Sequence, residues 1–139
     1  MEKDWKFSHI GMVVRDLQKT LDYMRSLGIY TIPATEPVLR PGVNPDVSGA
    51  SGSILILDIF CGPLAIELLQ PLSGDTIQGR YLDLHGEGVH HTCFEVPDMA
   101  RARASMAAKG VPVACHIRDL ATYYDTAEYG NLLLELRQS

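Results

Sequence analysis

The chain has 139 residues, the length of one domain or of two very small modules that share a core. Hydrophobic residues make up 46% and charged residues 21%, which excludes a disordered chain. Twelve Lys and Arg against 17 Asp and Glu give a net charge of −5, so we expect neither nucleic acid nor an anionic membrane as a partner.

The same features predict a cytoplasmic protein. The longest apolar run, residues 54–60, is too short to cross a membrane. The N-terminus is charged and has no apolar segment, so we expect no secretory signal. The three cysteines lack a CxxC or zinc-knuckle spacing, which favours reduced thiols.

The first predicted elements are a strand and a helix. Residues 7–14 are rich in Ile, Met and Val, as is typical of a strand. Asp16 stands where a helix needs an N-cap, apolar residues then recur at helical spacing, and Gly28 is a typical C-cap glycine. Residues 33–52 are rich in Pro, Gly, Ser and Asn, which predicts a mobile loop of a length that is often functional.

The rest of the chain predicts further strands and two more helices. Strand-like runs end in residues 64–69, and a short helix at roughly 76–85 follows them. The second half then repeats the order of the first, with a strand at 90–96, an N-cap at Asp98, a helix at 99–109 and a last strand at 132–137.

Two alignments without gaps indicate that the halves are copies of one unit. Residues 9–29 match residues 91–111 at 5 of 21 positions, and residues 62–70 match residues 130–138 at 5 of 9. A β-α unit followed by two or three antiparallel strands, present twice, explains both matches. The predicted division is a first module at about 5–72, a helical linker at about 73–88 and a second module at about 89–139.

Four polar side chains coincide between the copies: His9 with His91, and Glu67 with Glu135. Strand alternation places each of them on the face turned away from the helices. Two imidazoles and two carboxylates form a donor set for one divalent ion, which would act as a Lewis acid on a carbonyl. As an alternative, the four residues are buried polar groups that were duplicated with the unit.

Three residues near His91 are candidates of lower rank. His90 lies on the opposite strand face and has no counterpart in the first copy, which favours a structural role. Glu95 shares the face of His91, and we interpret it as a paired carboxylate, with a catalytic role as the alternative. Cys93 matches Gly11, which favours a small core residue over a thiol nucleophile.

Three segments, HIGMVVRDLQKTLDYMRSLGI, ELLQPLSGDTIQGRYLDLHGEGVHHTCFEVPDM and YYDTAEYGNLLLELRQ, resemble the vicinal oxygen chelate superfamily of glyoxalases, bleomycin resistance proteins and dioxygenases. Within it the chain is most similar to methylmalonyl-CoA epimerases and their unassigned relatives. The resemblance implies an α+β, glyoxalase-like fold of two βαβββ modules, whose curved mixed sheets form one metal-binding cleft. It implies His9, Glu67, His91 and Glu135 as ligands of one divalent ion, with Co, Zn, Ni, Mn and Fe(II) as candidates.

The activity that the resemblance implies is that of a metal-dependent epimerase or isomerase. Its substrate would be a malonyl-type acyl thioester, such as a CoA thioester, and the reaction would pass through a metal-stabilised enolate. Glu135 and Glu67 are the candidate catalytic residues. The loop Glu that serves epimerases as partner base is missing near residues 43–53, where Asp46 is the only acid.

Two further functions are carried as alternatives. One is a glyoxalase I-like lyase that acts on the adduct of a thiol and an oxoaldehyde. The other is a metal-free protein that binds a small molecule, as resistance proteins of this superfamily do. Residues 123–130 also depart from the HPK-type motif of the epimerases. The resemblance further implies a homodimer.

Overall fold

The computed structural model describes residues 3–44, 47–126 and 128–139, and these fall into two compact units. We call Ile10–His90 the central unit, and the residues up to His9 together with His91–Ser139 the terminal unit. Both units combine helix with mixed sheet, so the fold class is α+β, as predicted. Within the described ranges, no helix is long and apolar enough to span a membrane.

The central unit holds a mixed sheet and two helices among its described residues. Its elements are β1 (Lys6–Val13) from Ile10 onward, α1 (Leu17–Ser26), β2 (Ile32–Pro33), β3 (Val38–Asn44), β4 (Val47–Cys61), β5 (Leu64–Gly74) and α2 (Ile77–His85). Strand β5 pairs in parallel with β1 and antiparallel with β4. Strands β2 and β3 both pair antiparallel with β4.

The terminal unit repeats this arrangement. Its elements after β1 are β6 (Gly88–Val96) from His91 onward, α3 (Met99–Ala108), β7 (Val113–Ile117), β8 (Ala121–Thr126) and β9 (Leu132–Gln138). The last strand, β9, pairs in parallel with β6 and antiparallel with β8, which in turn pairs with β7. In both units the last strand therefore lies beside the first, as two copies of one unit require.

The helices begin and end where the sequence predicts. The carboxylates of Asp16 and Asp98 each accept a hydrogen bond from the backbone N–H three residues later, at 2.9 Å in both helices. Gly28 and Gly110 follow the helix ends with φ of +80° and +69°, a conformation that side-chain-bearing residues adopt at a cost.

A second pair of matched residues also caps these helices. Gln70 on β5 accepts a hydrogen bond from the backbone N–H of Leu17 at 2.9 Å. Gln138 on β9 accepts one from the backbone N–H of Met99 at 3.2 Å. Each glutamine thus ties the last strand of a unit to the first residue of its helix, which accounts for the identity of the two residues in the repeat.

The apolar faces of α1 and α3 pack on their own sheets. In the central unit the buried cluster is Val14, Leu17, Leu21, Leu57, Ile59 and Leu68. In the terminal unit it is Val96, Met99, Ala102, Met106, Tyr124 and Leu136. Since Leu68 and Leu136 face these helices, strand alternation turns Glu67 and Glu135 to the opposite faces of β5 and β9.

That opposite face of the central unit is not free of helices, contrary to expectation. Val13, Ile54 and Leu69 form a buried cluster there, against which Tyr81 and Leu82 of α2 pack. The face that carries Glu67 is therefore covered by α2 at its Leu69 end. Strand alternation alone predicts that this face is free of helices. That prediction is wrong, because α2 folds back on its own sheet.

The prediction of a mobile loop at residues 33–52 is also wrong. Strands β3 and β4 pair antiparallel through this segment, with Pro41 opposite Ser53 and Gly42 opposite Gly52. The glycines, which suggested a loop, allow close packing instead. A Cβ added to Gly42 would collide with Cγ2 of Thr76, the N-cap of α2.

Candidate metal centre

His9 and His91 meet in the terminal unit, where both are almost completely buried. Their rings are arranged edge to face, with centroids 5.4 Å apart and planes at 76°. Their Nε2 atoms lie 3.3 Å apart. Two strand residues that are 82 positions apart in the sequence thus direct the same ring nitrogen towards each other.

Glu135 joins this pair from β9. Its Oε2 atom lies 3.0 Å from Nε2 of His91 and 3.8 Å from Nε2 of His9. The register of the parallel pair β6–β9 brings it there, since Glu135 is the Cα partner of Cys93, two residues beyond His91 on the same strand face. We call His9, His91 and Glu135 the ligand cluster.

The spacing of the ligand cluster fits a divalent ion. An ion with bonds of about 2.1 Å keeps neighbouring ligand atoms about 3.0–3.4 Å apart, in octahedral or tetrahedral geometry. The three distances above are close to that range. Two imidazole nitrogens and one carboxylate oxygen suit Zn, Co, Ni, Mn or Fe(II), so the described residues hold a His/Glu cluster able to bind a metal ion.

The charge states of the cluster also suit a cation. Burial, together with the charge of the neighbouring His91, lowers the pKa of His9 to about 4, and Glu135 only partly opposes these effects. Burial would raise the pKa of Glu135, but its hydrogen bond with His91 and the charges of both histidines outweigh burial and lower it. At neutral pH His9 is therefore neutral and Glu135 is ionised, the forms that bind metal.

Two hydroxyl groups contact the ligand cluster from outside. Oγ of Ser8 lies 3.2 Å from Nδ1 of His9, so the nitrogen that faces away from the cluster has a partner. Tyr123 on β8 hydrogen-bonds to Glu135, and its ring lies edge-on to that of His91 with centroids 5.1 Å apart. Sequence reasoning missed Tyr123. Only the antiparallel register of β8 and β9, which pairs Tyr123 with Glu135, indicates its place beside the cluster.

Glu95 lies on the same strand face of β6 as His91 and forms an ion pair. Its Oε1 accepts a hydrogen bond from Nη2 of Arg137 at 2.9 Å. Although burial opposes it, this bond raises the pKa of Arg137, so the guanidinium stays charged. The pairing agrees with the interpretation of Glu95 as a paired carboxylate.

Glu67, the fourth predicted ligand, is a half-buried residue of β5 in the central unit. Its Cα partner on β1 is Gly11, the residue two positions after His9. Glu135 is paired in the same way with Cys93, two positions after His91. Glu67 and Glu135 therefore occupy equivalent places in their own units, and the role of Glu67 as a ligand stays a prediction.

The other candidates are not members of the ligand cluster. His90 is buried in the central unit, with its ring edge-on to Tyr81 at a centroid distance of 5.1 Å. Cys93 is fully buried, as expected of a small core residue. Asp46, the only acid near residues 43–53, lies outside the described residues.

Comparison with known families gives one match, which covers most of the chain. The model of the glyoxalase/bleomycin resistance protein/dioxygenase superfamily matches residues 8–127. None of the curated proteins gives a significant match to the chain.

Solved structures with a similar fold cover almost the whole chain. A hypothetical protein from Bacillus halodurans has 22% identity and a TM-score of 0.69, over 99% of this chain and 96% of that chain. Methylmalonyl-CoA epimerase from Mycobacterium tuberculosis has 18% identity and a TM-score of 0.67, over 95% and 86%. A variant of Streptomyces coelicolor methylmalonyl-CoA epimerase, in complex with 2-nitronate-propionyl-CoA, has 26% identity and a TM-score of 0.65, over 96% of both chains.

Proposed function

Because the chain belongs to the glyoxalase/bleomycin resistance protein/dioxygenase superfamily, we propose that it is a metal-dependent epimerase or isomerase of a malonyl-type acyl thioester. The observation that carries the proposal is the ligand cluster, in which His9, His91 and Glu135 approach within 3.0–3.8 Å of one another. The likeness to the Streptomyces coelicolor epimerase supports the substrate class, since that protein was solved with a propionyl-CoA derivative.

The proposed ligands of the ion are the ligand cluster and Glu67. Glu67 is assigned by the repeat, because its place on β5 is equivalent to that of Glu135 on β9. A divalent ion bound there would supply a Lewis acid, which would make the proton on the carbon between the carboxylate and the thioester carbonyl of the substrate more acidic.

The chain's own residues would have two tasks. His9 and His91, buried and held edge to face, would hold the ion with their Nε2 atoms and shield it from water. Glu135 and Glu67 are the carboxylates to which we assign the removal and return of the proton. Glu135 and Glu67 would thus each bind the ion and transfer a proton. A flexible surface carboxylate could not do both, because it is not held in one position.

Hydrogen exchange tests this proposal. The protein loaded with Co²⁺ is incubated with a 2-methylmalonyl thioester in heavy water, and deuterium at the α-carbon is followed by mass spectrometry. We expect exchange with the wild type and with His85→Ala, a surface histidine outside the ligand cluster, and none with His91→Ala. A metal-loaded wild type without exchange would refute the proposal, and turnover of methylglyoxal plus a thiol would favour the glyoxalase I-like alternative.

The proposal includes a homodimer. Between α1 and β2, and at the start of β2, the central unit exposes Leu27, Tyr30 and Ile32, large apolar side chains that a second copy would remove from water. Light scattering should then give twice the chain mass of 15.3 kDa. The mass of a single chain at micromolar concentration would contradict this part of the proposal.

A further inference from the structure

Tyr123 contacts two members of the ligand cluster with different parts of one side chain. Its hydroxyl hydrogen-bonds to Glu135, whose Cα is its register partner on the neighbouring strand. Its ring lies edge-on to the imidazole of His91, with planes at 76°. Tyr123 itself is only 3% exposed, so both contacts are shielded from water.

The adjacent tyrosine is a natural comparison, because it faces the other way. Tyr124 is 1% exposed and packs with Met99 and Met106 of α3 in the core of the terminal unit. Strand alternation thus separates two equally buried tyrosines, one against the ligand cluster and one against the helix.

Duplication of the unit does not account for Tyr123. In the central unit the register partner of Glu67 on β4 is Asp58, whereas the partner of Glu135 on β8 is Tyr123. The two carboxylates occupy equivalent places, but only Glu135 has a tyrosine opposite it. The reason for a tyrosine at position 123 must therefore lie in its contacts within the terminal unit.

We propose that Tyr123 is a positioning residue of the metal centre: its hydroxyl fixes the carboxylate of Glu135, and its ring fixes the imidazole of His91. Ligands that are already held in place lose less conformational freedom when an ion binds, so the affinity for the ion rises. Partners of this kind typically contribute about 10–100-fold to metal affinity. The inference rests on the proposed function, since it requires that the cluster binds a metal ion.

Titration with Co²⁺ tests the inference. The visible absorption of Co²⁺ reports the geometry of its ligands, and the titration gives the affinity. Tyr123→Phe keeps the ring and removes the hydroxyl, so we expect about 10–100-fold weaker binding and a shifted absorption band. Tyr124→Phe removes an equally buried hydroxyl and should bind Co²⁺ like the wild type.

The outcomes separate this inference from the proposed function. If the wild type takes up no Co²⁺, both are overturned. If the wild type binds Co²⁺ and Tyr123→Phe binds it with the same affinity and the same band, only the role of Tyr123 is overturned. Equal weakening in Tyr124→Phe also overturns it, since general loosening of the fold would then explain the loss. If circular dichroism finds Tyr123→Phe unfolded, Tyr123→Met takes its place with the same expectations.

Discussion

The imidazoles of His9 and His91 approach to 3.3 Å between their Nε2 atoms, although 82 residues separate them in the sequence. Two imidazolium ions at that distance would repel each other strongly, and burial further disfavours their charge. The lowered pKa of His9, about 4, follows from these two causes. Burial and the contact between the two rings therefore both keep His9 neutral and able to bind a cation, and both make the site sensitive to acid.

Metal content is the first prediction. We expect about one divalent ion per chain in the wild type and almost none in His91→Ala or Glu135→Ala. Each substitution removes one of the four proposed protein ligands. Elemental analysis of the purified and dialysed proteins measures this. His85→Ala should retain the ion. A wild type that carries and accepts no ion, or a Glu135→Ala protein that keeps it, would contradict the prediction.

The second prediction concerns acid stability. In the metal-free protein His9 has a pKa of about 4 against an ordinary value of 6.5, so between these values the unfolded chain binds a proton that the folded chain does not. The free energy of unfolding should therefore fall as the pH drops from about 6.5 to 4, by up to about 3 kcal/mol from this residue.

Urea unfolding at several pH values between 7 and 4 measures that loss. The control is His9→Gln, which has no titrating group at this position and should lose correspondingly less stability over the same range. Equal pH dependence in the wild type and in His9→Gln would show that His9 is not responsible.

The third prediction concerns the glutamines that cap α1 and α3. Gln70→Ala and Gln138→Ala should each lower the free energy of unfolding by about 1 kcal/mol, because a backbone N–H loses its acceptor. The loss should be larger for Gln138, whose Nε2 also donates to the carbonyl of Pro97 at 3.0 Å. Gln70→Glu should retain stability, since a carboxylate accepts the same bond and is favoured at a helix N-terminus.

Thermal and urea unfolding of these variants give the measurement, with Gln18→Ala as the control. Gln18 lies on α1, and its side-chain amide donates an exposed hydrogen bond to Asp22 at 2.9 Å, so its removal should change stability by less than about 0.5 kcal/mol. Equal effects of Gln18→Ala and Gln70→Ala would rule out the capping role.

The features that sequence predicts correctly here are local or repeated. Asp16 and Asp98 act within one helical turn, and the identity of the two halves reveals the common strand order without knowledge of the fold. The sequence does not reveal the role of Tyr123, because its contact with Glu135 depends on the register of β8 and β9, which no local pattern specifies. The prediction for residues 33–52 is wrong because glycine occurs where strands pack closely as well as in turns.

The last prediction follows from that packing. Ala at position 42 would place its Cβ against Cγ2 of Thr76, and Thr76 cannot turn away without losing the bond that its hydroxyl accepts from the N–H of Gly79. Gly42→Ala should therefore destabilise the protein by about 1–3 kcal/mol. Thr76→Ser removes the clashing methyl group and keeps the capping hydroxyl, so the double variant should recover part of the loss. A urea double-mutant cycle measures the coupling, and strict additivity would place the cause outside this contact.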